Sequence, residues 1–272
     1  MANDLNKYVI GGKIGEGAQG IVLKAYNIVT EKNVALKKLL LKNVANGICT
    51  SVIREIKILQ QLKHTNDLKP ANLLISEKGI LKIADFGLGR LMWEDISKPY
   101  SHQIATRWYR APELLYGARY YTSAIDIWSI GCILGELLNK SPLFPGETDI
   151  EQLAIVLRCL GSPTSETWPE LSTLPDFNKI TFPYHIGISW QSIIEDAEPE
   201  AIDLISRILI YDSSNRLTAN QALHHSYFHI KPYTSLDNLI KPSSNHYIQM
   251  KPKETEINVQ VTVLFKNLLT II

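Results

Sequence analysis

The chain has 272 residues, 45% of them hydrophobic and 20% charged, as in an ordinary globular protein of one or two domains and unlike a disordered or fibrous one. Its 28 Lys and Arg residues nearly balance 27 Asp and Glu residues, and the net charge of +1 offers no electrostatic footprint for nucleic acid or an anionic membrane. The cysteines lack paired spacing, which predicts reduced thiols in an intracellular protein. Because no run of roughly 18 apolar residues occurs, we also expect a soluble protein.

The first predicted elements are strands. Residues 8–15, 20–26 and 33–40 alternate between apolar and polar side chains and are separated by Gly-containing and Thr-Glu-Lys-Asn breaks, which predicts a three-stranded antiparallel meander. Apolar residues then recur at spacings of three and four over residues 50–62, so an amphipathic helix carrying Glu55 is expected there.

A short hairpin is predicted next. The apolar runs 73–75 and 81–83 flank a Glu-Lys-Gly turn. Pairing of these runs would hold Asn72 and Asp85 near one another.

The second half of the chain is predicted to be mainly helical. Residues 123–126, 148–151 and 218–221 each have the Ser/Thr-x-x-acid-or-amide spacing of a capping box, which marks a helix start. A further helix would bury one apolar face, formed by Ala201, Leu204, Ile205, Ile208 and Leu209. The whole pattern predicts an α+β fold, with a small β-rich part before a mainly helical part.

A glycine-rich string, I-G-E-G-A-Q-G-I-V, joins the first two predicted strands. Closely spaced glycines let backbone N–H groups approach phosphate oxygens without a Cβ in the way. A dinucleotide-binding loop would need a helix after the last glycine, whereas a strand is predicted; a simple glycine turn in a hairpin remains the alternative. The candidate nucleotide-binding residues are Ile14, Gly15, Glu16, Gly17, Ala18, Gln19, Gly20, Ile21 and Val22.

Further motifs follow in a fixed order. They are V-A-L-K ending at Lys37, D-L-K-P-A-N starting at Asp67, D-F-G starting at Asp85 and A-P-E ending at Glu113. This order resembles that of the motifs in protein kinases. Without the other motifs, the alternative interpretation of D-L-K-P-A-N is a polar turn that precedes a strand. The strings C-T-S-V-I-R-E, which ends at Glu55, and A-T-R-W-Y-R-A-P-E are similar to those of the cyclin-dependent kinases.

The resemblance implies a serine/threonine kinase with a two-lobed fold. Asp67 would accept the hydroxyl proton of a protein substrate, and Lys69 would neutralise charge on the transferred phosphoryl group. Lys37, held by Glu55, would contact the phosphates of ATP.

The implied cofactors are ATP and Mg²⁺. The metal would be shared by Asn72 and Asp85. The resemblance also implies a preference for proline after the phosphorylated residue, a cyclin-like regulatory subunit, and a location in the nucleus and cytoplasm.

Three structural residues are implied as well. Glu113 and Arg216 would form a buried ion pair that joins the A-P-E segment to the late helices. Asp126 would open the central helix and anchor the catalytic loop.

Regulatory residues are implied around Ser101, which matches the position of the activating phosphorylation site of the family. A phosphate there would recruit arginines, and Arg54 and Arg90 match two of them. The third arginine normally precedes the catalytic aspartate, but this chain has Asn66 before Asp67.

The spacing between Lys37 and Asp67 departs from the family, because only thirty positions separate them. Two strands and two helices with their connections need roughly 50 residues more, including the hinge that binds adenine. We therefore expect a kinase domain over residues 8–229 with an internal deletion between Asn66 and Asp67, followed by an extension over residues 230–272. In that extension, Val259, Val261, Val263 and Phe265 alternate as an edge strand of unknown partner.

The deletion makes the activity of this form doubtful. The absent helix beside the central one would bury about four large apolar side chains, on the order of 6–12 kcal/mol. Two alternatives stay open: a non-catalytic splice form that acts as an interaction protein, and an exon omitted from an incomplete gene sequence.

Overall fold

The computed structural model describes residues 5–17, 20–39, 68–75, 81–84 and 105–229. The chain divides into two compact units, Met1–Ile53 and Arg54–Ile272. We call them the sheet unit and the helical unit and describe each by itself.

The sheet unit is a three-stranded antiparallel sheet, as predicted. After a short 3₁₀ turn, β1 (Tyr8–Gly17), β2 (Gly20–Asn27) and β3 (Lys32–Leu39) pair in sequence order. The register of β1 and β2 shifts twice, between Ile10 and Gly15, whereas β2 and β3 pair without interruption. The predicted glycine loop is thus the tight end of a hairpin, which closes at Gly17 opposite Gly20.

The predicted hairpin opens the described part of the helical unit. A 3₁₀ turn over Pro70–Asn72 leads into β4 (Leu73–Ile75), which pairs antiparallel with β5 (Leu81–Ile83). Both strands coincide with the apolar runs of the sequence.

Six helices follow the hairpin within residues 105–229. They are α1 (Pro112–Leu115), α2 (Ala124–Asn139), α3 (Asp149–Leu160), α4 (Trp190–Ile193), α5 (Pro199–Ile208) and α6 (Ala219–Leu223). Among the residues that the structure describes, no helix is both long and apolar enough to cross a membrane.

The three predicted helix starts are correct, but only one has the predicted capping box. Thr218 and Gln221 cap each other reciprocally at α6. At α3, Thr148 Oγ1 accepts from Glu151 N, while the Glu151 carboxylate accepts from Glu147 N instead of the cap residue. At α2 the capping box is absent, because the Ser123 side chain makes no capping hydrogen bond and its backbone is already helical.

The core of the helical unit surrounds α2. Four side chains of α2 are fully buried: Trp128, Ile130, Ile133 and Leu134. Helix α5 packs its predicted apolar face, including Leu204, against the same core. The hairpin joins this core through Leu68 and Leu81. Trp108, in contrast to Trp128, is 40% exposed, and its indole Nε1 donates to Gly146 O at 3.0 Å.

Candidate active site

The sheet unit aligns three candidate nucleotide-binding positions across its strands. Val22 is paired with Gly15 on one side and with Lys37 on the other. Directly opposed residues of antiparallel strands project to the same face, so the Lys37 side chain shares a face with Val22. A Cβ added at Gly15 would lie 3.8 Å from Val22 Cβ, so Gly15 and Val22 are in close contact across the two strands.

The neighbouring residues of the glycine-rich string have varied exposure. Ile14 is 59% exposed, Ile21 is half-buried, and the Glu16 carboxylate pairs with Lys13. Ala18, Gln19 and Glu55 lie outside the described residues. The sheet therefore places Gly15, Val22 and Lys37 together, and the predicted Lys37–Glu55 pair stays a prediction.

In the helical unit, the hairpin positions the D-L-K-P-A-N segment. Leu68 is fully buried and fixes the segment to the core. Asn72 O accepts from Ala84 N at 2.7 Å, which extends the β4–β5 pairing by one residue. Asn72 is 6% exposed and stands beside the residue that precedes Asp85. Asp67 and Asp85 themselves lie outside the described residues.

Lys69 contacts a second segment far along the chain. Its Nζ donates to Thr106 Oγ1 at 2.9 Å. This bond joins the predicted catalytic lysine to the A-T-R-W-Y-R-A-P-E string, whose last two residues begin α1.

The same string contains a strained backbone position. Ala105 has a φ of +63°, a left-handed conformation that is uncommon for a residue with a Cβ. Its carbonyl oxygen accepts a hydrogen bond of 2.9 Å from Arg110 Nη2. The left-handed backbone of Ala105 thus directs its carbonyl oxygen toward Arg110, and the guanidinium donates a hydrogen bond to it.

Helix α3 holds this arrangement in place. Arg110 Nη1 lies 2.9 Å from Asp149 Oδ2, and Arg107 Nε lies 2.8 Å from Asp149 Oδ1. The fully buried Gln152 accepts from Gly146 N through Oε1 and donates to Trp108 O through Nε2. The first turns of α3 therefore fix the string from two sides.

The structure contains the ion pair expected between Glu113 and Arg216. Two parallel hydrogen bonds of 2.7 Å join the guanidinium to the carboxylate, and both side chains are buried. The three remaining N–H donors of Arg216 go to the carbonyls of Ala124, Ile210 and Tyr211. All five donors are used, so α1, α2 and the segment before α6 are joined at one point.

The remaining structural candidate, Asp126, is 6% exposed in the first turn of α2. Nearby, Tyr109 donates its hydroxyl to Glu136 Oε2 at 2.7 Å. Burial, followed by this hydrogen bond, raises the pKa of Tyr109 well above its usual range. The Tyr109 hydroxyl therefore acts as a permanent donor and not as an acid.

The regulatory candidates Ser101, Arg54 and Arg90 lie outside the described residues. Sequence reasoning missed four contributors to the site: Thr106, Arg110, Asp149 and Gln152. The first two stand in a string that we had singled out, but their partners are 37 and 39 residues away in sequence. The positive φ of Ala105 could not be predicted from the sequence, because alanine does not favour this conformation.

This geometry agrees with a direct family match. A profile of the protein kinase domain matches residues 8–66 and 66–228, and the chain belongs to the protein kinase family. This membership assigns the chain by family to the ATP-binding transferases of the serine/threonine kinase type.

The relatives narrow the group. The chain is 44% identical to cyclin-dependent kinase 20 from Danio rerio, over 84% of this chain and 85% of that protein. It is 42% identical to the protein of the same name from Homo sapiens, over 84% of each. The expected membership of the cyclin-dependent kinases is confirmed.

The alignment with these relatives has more positions than the number of residues of this chain that take part in it. It spans 292 positions, whereas 84% of 272 residues is about 228 residues. About 64 aligned positions of the relative from Danio rerio therefore face no residue of this chain.

A solved structure supports the fold. A chain of the CAK complex from Chaetomium thermophilum, bound to ATP-γ-S, matches with a TM-score of 0.77 and 27% identity. The match covers 88% of this chain and 96% of that one. The predicted kinase fold, with a small antiparallel sheet and a mainly helical part, is confirmed.

Proposed function

We propose that this chain descends from a kinase that transfers the γ-phosphoryl group of Mg-ATP to Ser or Thr of proteins, and that this shortened form transfers it poorly or not at all. The first part is carried by two hydrogen bonds, one from Ala84 N to Asn72 O and one from Lys69 Nζ to Thr106 Oγ1. The second part rests on the spacing between Lys37 and Asp67.

The catalytic roles follow from charge and position. The substrate hydroxyl oxygen would bond to the γ-phosphorus as the bond to the bridging oxygen breaks, and Asp67 would take the hydroxyl proton. Lys69, held at Thr106, would stabilise the negative charge on the transferred group. Lys37 would contact the remaining phosphates from the face it shares with Val22.

The metal donors fit Mg²⁺. Asn72 would contribute an amide oxygen and Asp85 a carboxylate oxygen, the hard ligands that Mg²⁺ prefers. The bond from Ala84 N to Asn72 O places Asn72 opposite the residue that precedes Asp85 in sequence. Bound there, Mg²⁺ would neutralise charge on the phosphates.

The deletion is supported by the family match and the alignment. The profile matches in two pieces that meet at residue 66, and the alignment leaves about 64 positions of a relative unmatched. We propose that the missing positions belong between Asn66 and Asp67 and include the hinge that binds adenine in the family. Sequencing the transcript across the codons for Asn66 and Asp67 tests this, and an additional exon there would contradict it.

The substrate preference we propose is for proline after the phosphorylated residue. The Ala105 carbonyl is turned toward Arg110 and bonded to it, so it is not free to accept from a substrate N–H. A substrate residue with an N–H at that point would lose a hydrogen bond, whereas proline has no N–H to leave unpaired.

A peptide-binding experiment tests this preference without requiring phosphoryl transfer. Fluorescence anisotropy would compare a Ser-Pro peptide with a Ser-Ala peptide. We expect the Ser-Pro peptide to bind up to about tenfold more tightly, the value of one lost hydrogen bond. Arg110→Met should abolish the difference, whereas Arg158→Met, an exposed arginine on α3, should keep it. Equal binding of both peptides by the unmodified chain would contradict the proposal.

A second candidate function is that of a non-catalytic interaction protein. It is favoured by the intact core and the fully bonded Arg216 of residues 105–229, which keep a rigid surface independent of ATP chemistry. Asp67→Asn separates the two functions. If the cellular effect of the chain persists in this variant, binding explains the effect; if it disappears while the fold survives, catalysis explains it.

The remaining proposals concern partners and location. We propose protein substrates and a cyclin-like subunit that contacts residues 49–55, since the string C-T-S-V-I-R-E resembles the cyclin-contacting helix of the family. We also propose that the protein acts in the nucleus and cytoplasm. Co-purification of a cyclin-like protein that is lost on Ile53→Asp would support the partner; retention in that variant would contradict it.

A further inference from the structure

The sheet unit ends in a regular edge strand, β3. Within the part of the chain that the structure describes, the strand order is β1-β2-β3, so β3 pairs with β2 on one side only. Its eight residues pair with β2 without a register shift. Asn33 and Ala35, in the middle of the strand, are exposed. An edge strand of this kind presents a row of backbone N–H and C=O groups to which a further strand can bind.

The opposite edge of the sheet is less regular. The pairing of β1 with β2 has two register shifts, one between Ile10 and Lys13 and one between Lys13 and Gly15. Such irregularities bend and twist a strand, and they prevent a further strand from pairing along it. The pairing of β3 has no shift over Lys32–Leu39, so β3 is the edge that suits a further strand.

One face of β3 is apolar in the middle and positively charged at both ends. Alternate residues of a strand project to the same face, and one face of β3 carries Lys32, Val34, Leu36 and Lys38. The two apolar side chains are half-buried, and the two lysines are exposed. The whole strand contains three lysines and no acidic residue.

This charge determines which kind of strand fits the edge. A second copy of β3 would bring the lysines of both copies together without a carboxylate, and like charges across an interface oppose association. Lysines on edge strands protect proteins against pairing of this kind. A strand that carries carboxylates would instead meet the lysines with opposite charge, and cross-strand pairs of opposite charge are favourable.

We infer that the β3 edge binds an extended acidic segment of a partner protein, which joins the sheet as a further strand. The backbone of the segment hydrogen-bonds to β3 and supplies affinity, while side chains supply specificity. Two carboxylates of the segment lie six residues apart, as Lys32 and Lys38 do, and apolar residues between them lie opposite Val34 and Leu36. The spacing is the same for a parallel and an antiparallel segment. Binding at this edge requires neither ATP nor phosphoryl transfer.

A designed peptide tests the inference on the full chain. The probe is the fluorescein-labelled peptide T-E-T-V-T-V-T-E, whose glutamates lie six residues apart. Fluorescence anisotropy should show saturable binding. A peptide with Lys in place of both glutamates should bind about tenfold more weakly, because two attractive cross-strand pairs become repulsive. No binding of the acidic peptide, or equal binding of the two peptides, would overturn the inference.

Backbone N-methylation distinguishes strand addition from contact through side chains alone. The peptide N–H groups that hydrogen-bond to one neighbouring strand belong to alternate residues. Methylation of the amides of one alternate set should therefore abolish binding, whereas methylation of the other set should preserve it. Equal binding of the two methylated peptides would show that the peptide does not join the sheet.

Charge reversal in the chain locates the site. The double variant Lys32→Glu, Lys38→Glu should bind the acidic peptide about tenfold more weakly than the unmodified chain and should prefer the lysine peptide. The control variant Lys13→Glu, Lys24→Glu makes the same change of net charge at exposed residues of β1 and β2 and should keep the preference for the acidic peptide. Circular dichroism checks that both variants are folded.

Two further results would contradict the inference. One is a preference for the acidic peptide that persists in Lys32→Glu, Lys38→Glu. The other is a dimeric mass of the unmodified chain in sedimentation together with no binding of the peptide, which would assign the β3 edge to a second copy.

Discussion

The sheet unit and the helical unit differ in how much they bury. Among residues 6–16 and 21–38 of the sheet unit, only Ala25 and Asn27 are buried, and Val9, Ile10 and Ile14 are each more than half exposed. The helical unit instead buries Trp128 and its neighbours around α2 completely.

A kinase needs a stable packed core and a set of residues that bind the nucleotide, and the two units differ in which of these they keep. The helical unit keeps the packed core, the Glu113–Arg216 ion pair and the bond from Lys69 to the A-T-R-W-Y-R-A-P-E string. The sheet unit keeps the register of Gly15, Val22 and Lys37 with few buried side chains. A small sheet with little buried surface is marginally stable alone. We therefore expect stability to be concentrated in the helical unit, and nucleotide binding to be the function that the deletion weakens most.

The largest expected effect on stability is at the buried ion pair. Glu113→Ala leaves the guanidinium of Arg216, whose side chain is 0% exposed, without its carboxylate. Breaking such a pair costs about 3–5 kcal/mol of unfolding free energy. Urea unfolding followed by tryptophan fluorescence measures this cost, since all five tryptophans lie beyond residue 54.

Lys179→Ala is the control, because the pair of Lys179 and Asp176 is on the surface and 69% of the lysine side chain is exposed. Its cost should be no more than about 1 kcal/mol. Equal losses in both variants would show that the Glu113–Arg216 pair does not stabilise the helical unit as we describe.

A glycine substitution compares the packing of the two units. A Cβ at Gly131 in α2 would lie 2.5 Å from Ile208 and 2.7 Å from Leu209, so Gly131→Ala should cost about 1–3 kcal/mol by overpacking. Around Gly12 in β1 nothing lies within 4 Å of an added Cβ, and Gly12→Ala should change stability by less than about 1 kcal/mol. Unfolding followed by circular dichroism measures both. A larger loss at Gly12 would reverse the proposed contrast.

The smallest effect is expected at the helix caps. Thr218→Ala removes the hydroxyl that accepts from Gln221 N at the start of α6, while the backbone N–H of residue 218 can still donate to Gln221, and the change should cost about 1 kcal/mol. Ser123→Ala should cost no more than a few tenths, because Ser123 makes no capping bond at α2. Urea midpoints of the two variants rank them directly, and a greater loss for Ser123→Ala would be inconsistent with the structure.

Much of the fold was predictable because local patterns determine it. The alternation of the first three strands, the two short strands of the hairpin and the apolar face of α5 all depend on spacings of two, three or four residues. The same spacing rule failed to specify cap geometry at Ser123, where the backbone conformation decides whether the hydroxyl can reach an N–H.

The site was only partly predictable. Glu113 and Arg216 were identified by resemblance to a family, and the structure contains their pair. Two contacts join segments that lie about forty residues apart in sequence: the hydrogen bond from Lys69 to Thr106 and the ion pair between Arg110 and Asp149. Such contacts depend on the tertiary fold and have no local pattern.

Binding of Mg-ATP tests the central claim most directly. The thermal shift of the purified chain would be measured beside that of the same chain with the missing positions of a relative inserted between Asn66 and Asp67. Ligand binding stabilises a folded protein by about 2.7 kcal/mol at one hundred times the Kd, which raises Tm visibly. We predict a saturable rise for the restored chain and none for the chain as it stands. A clear, saturable rise in the chain as it stands would contradict the account.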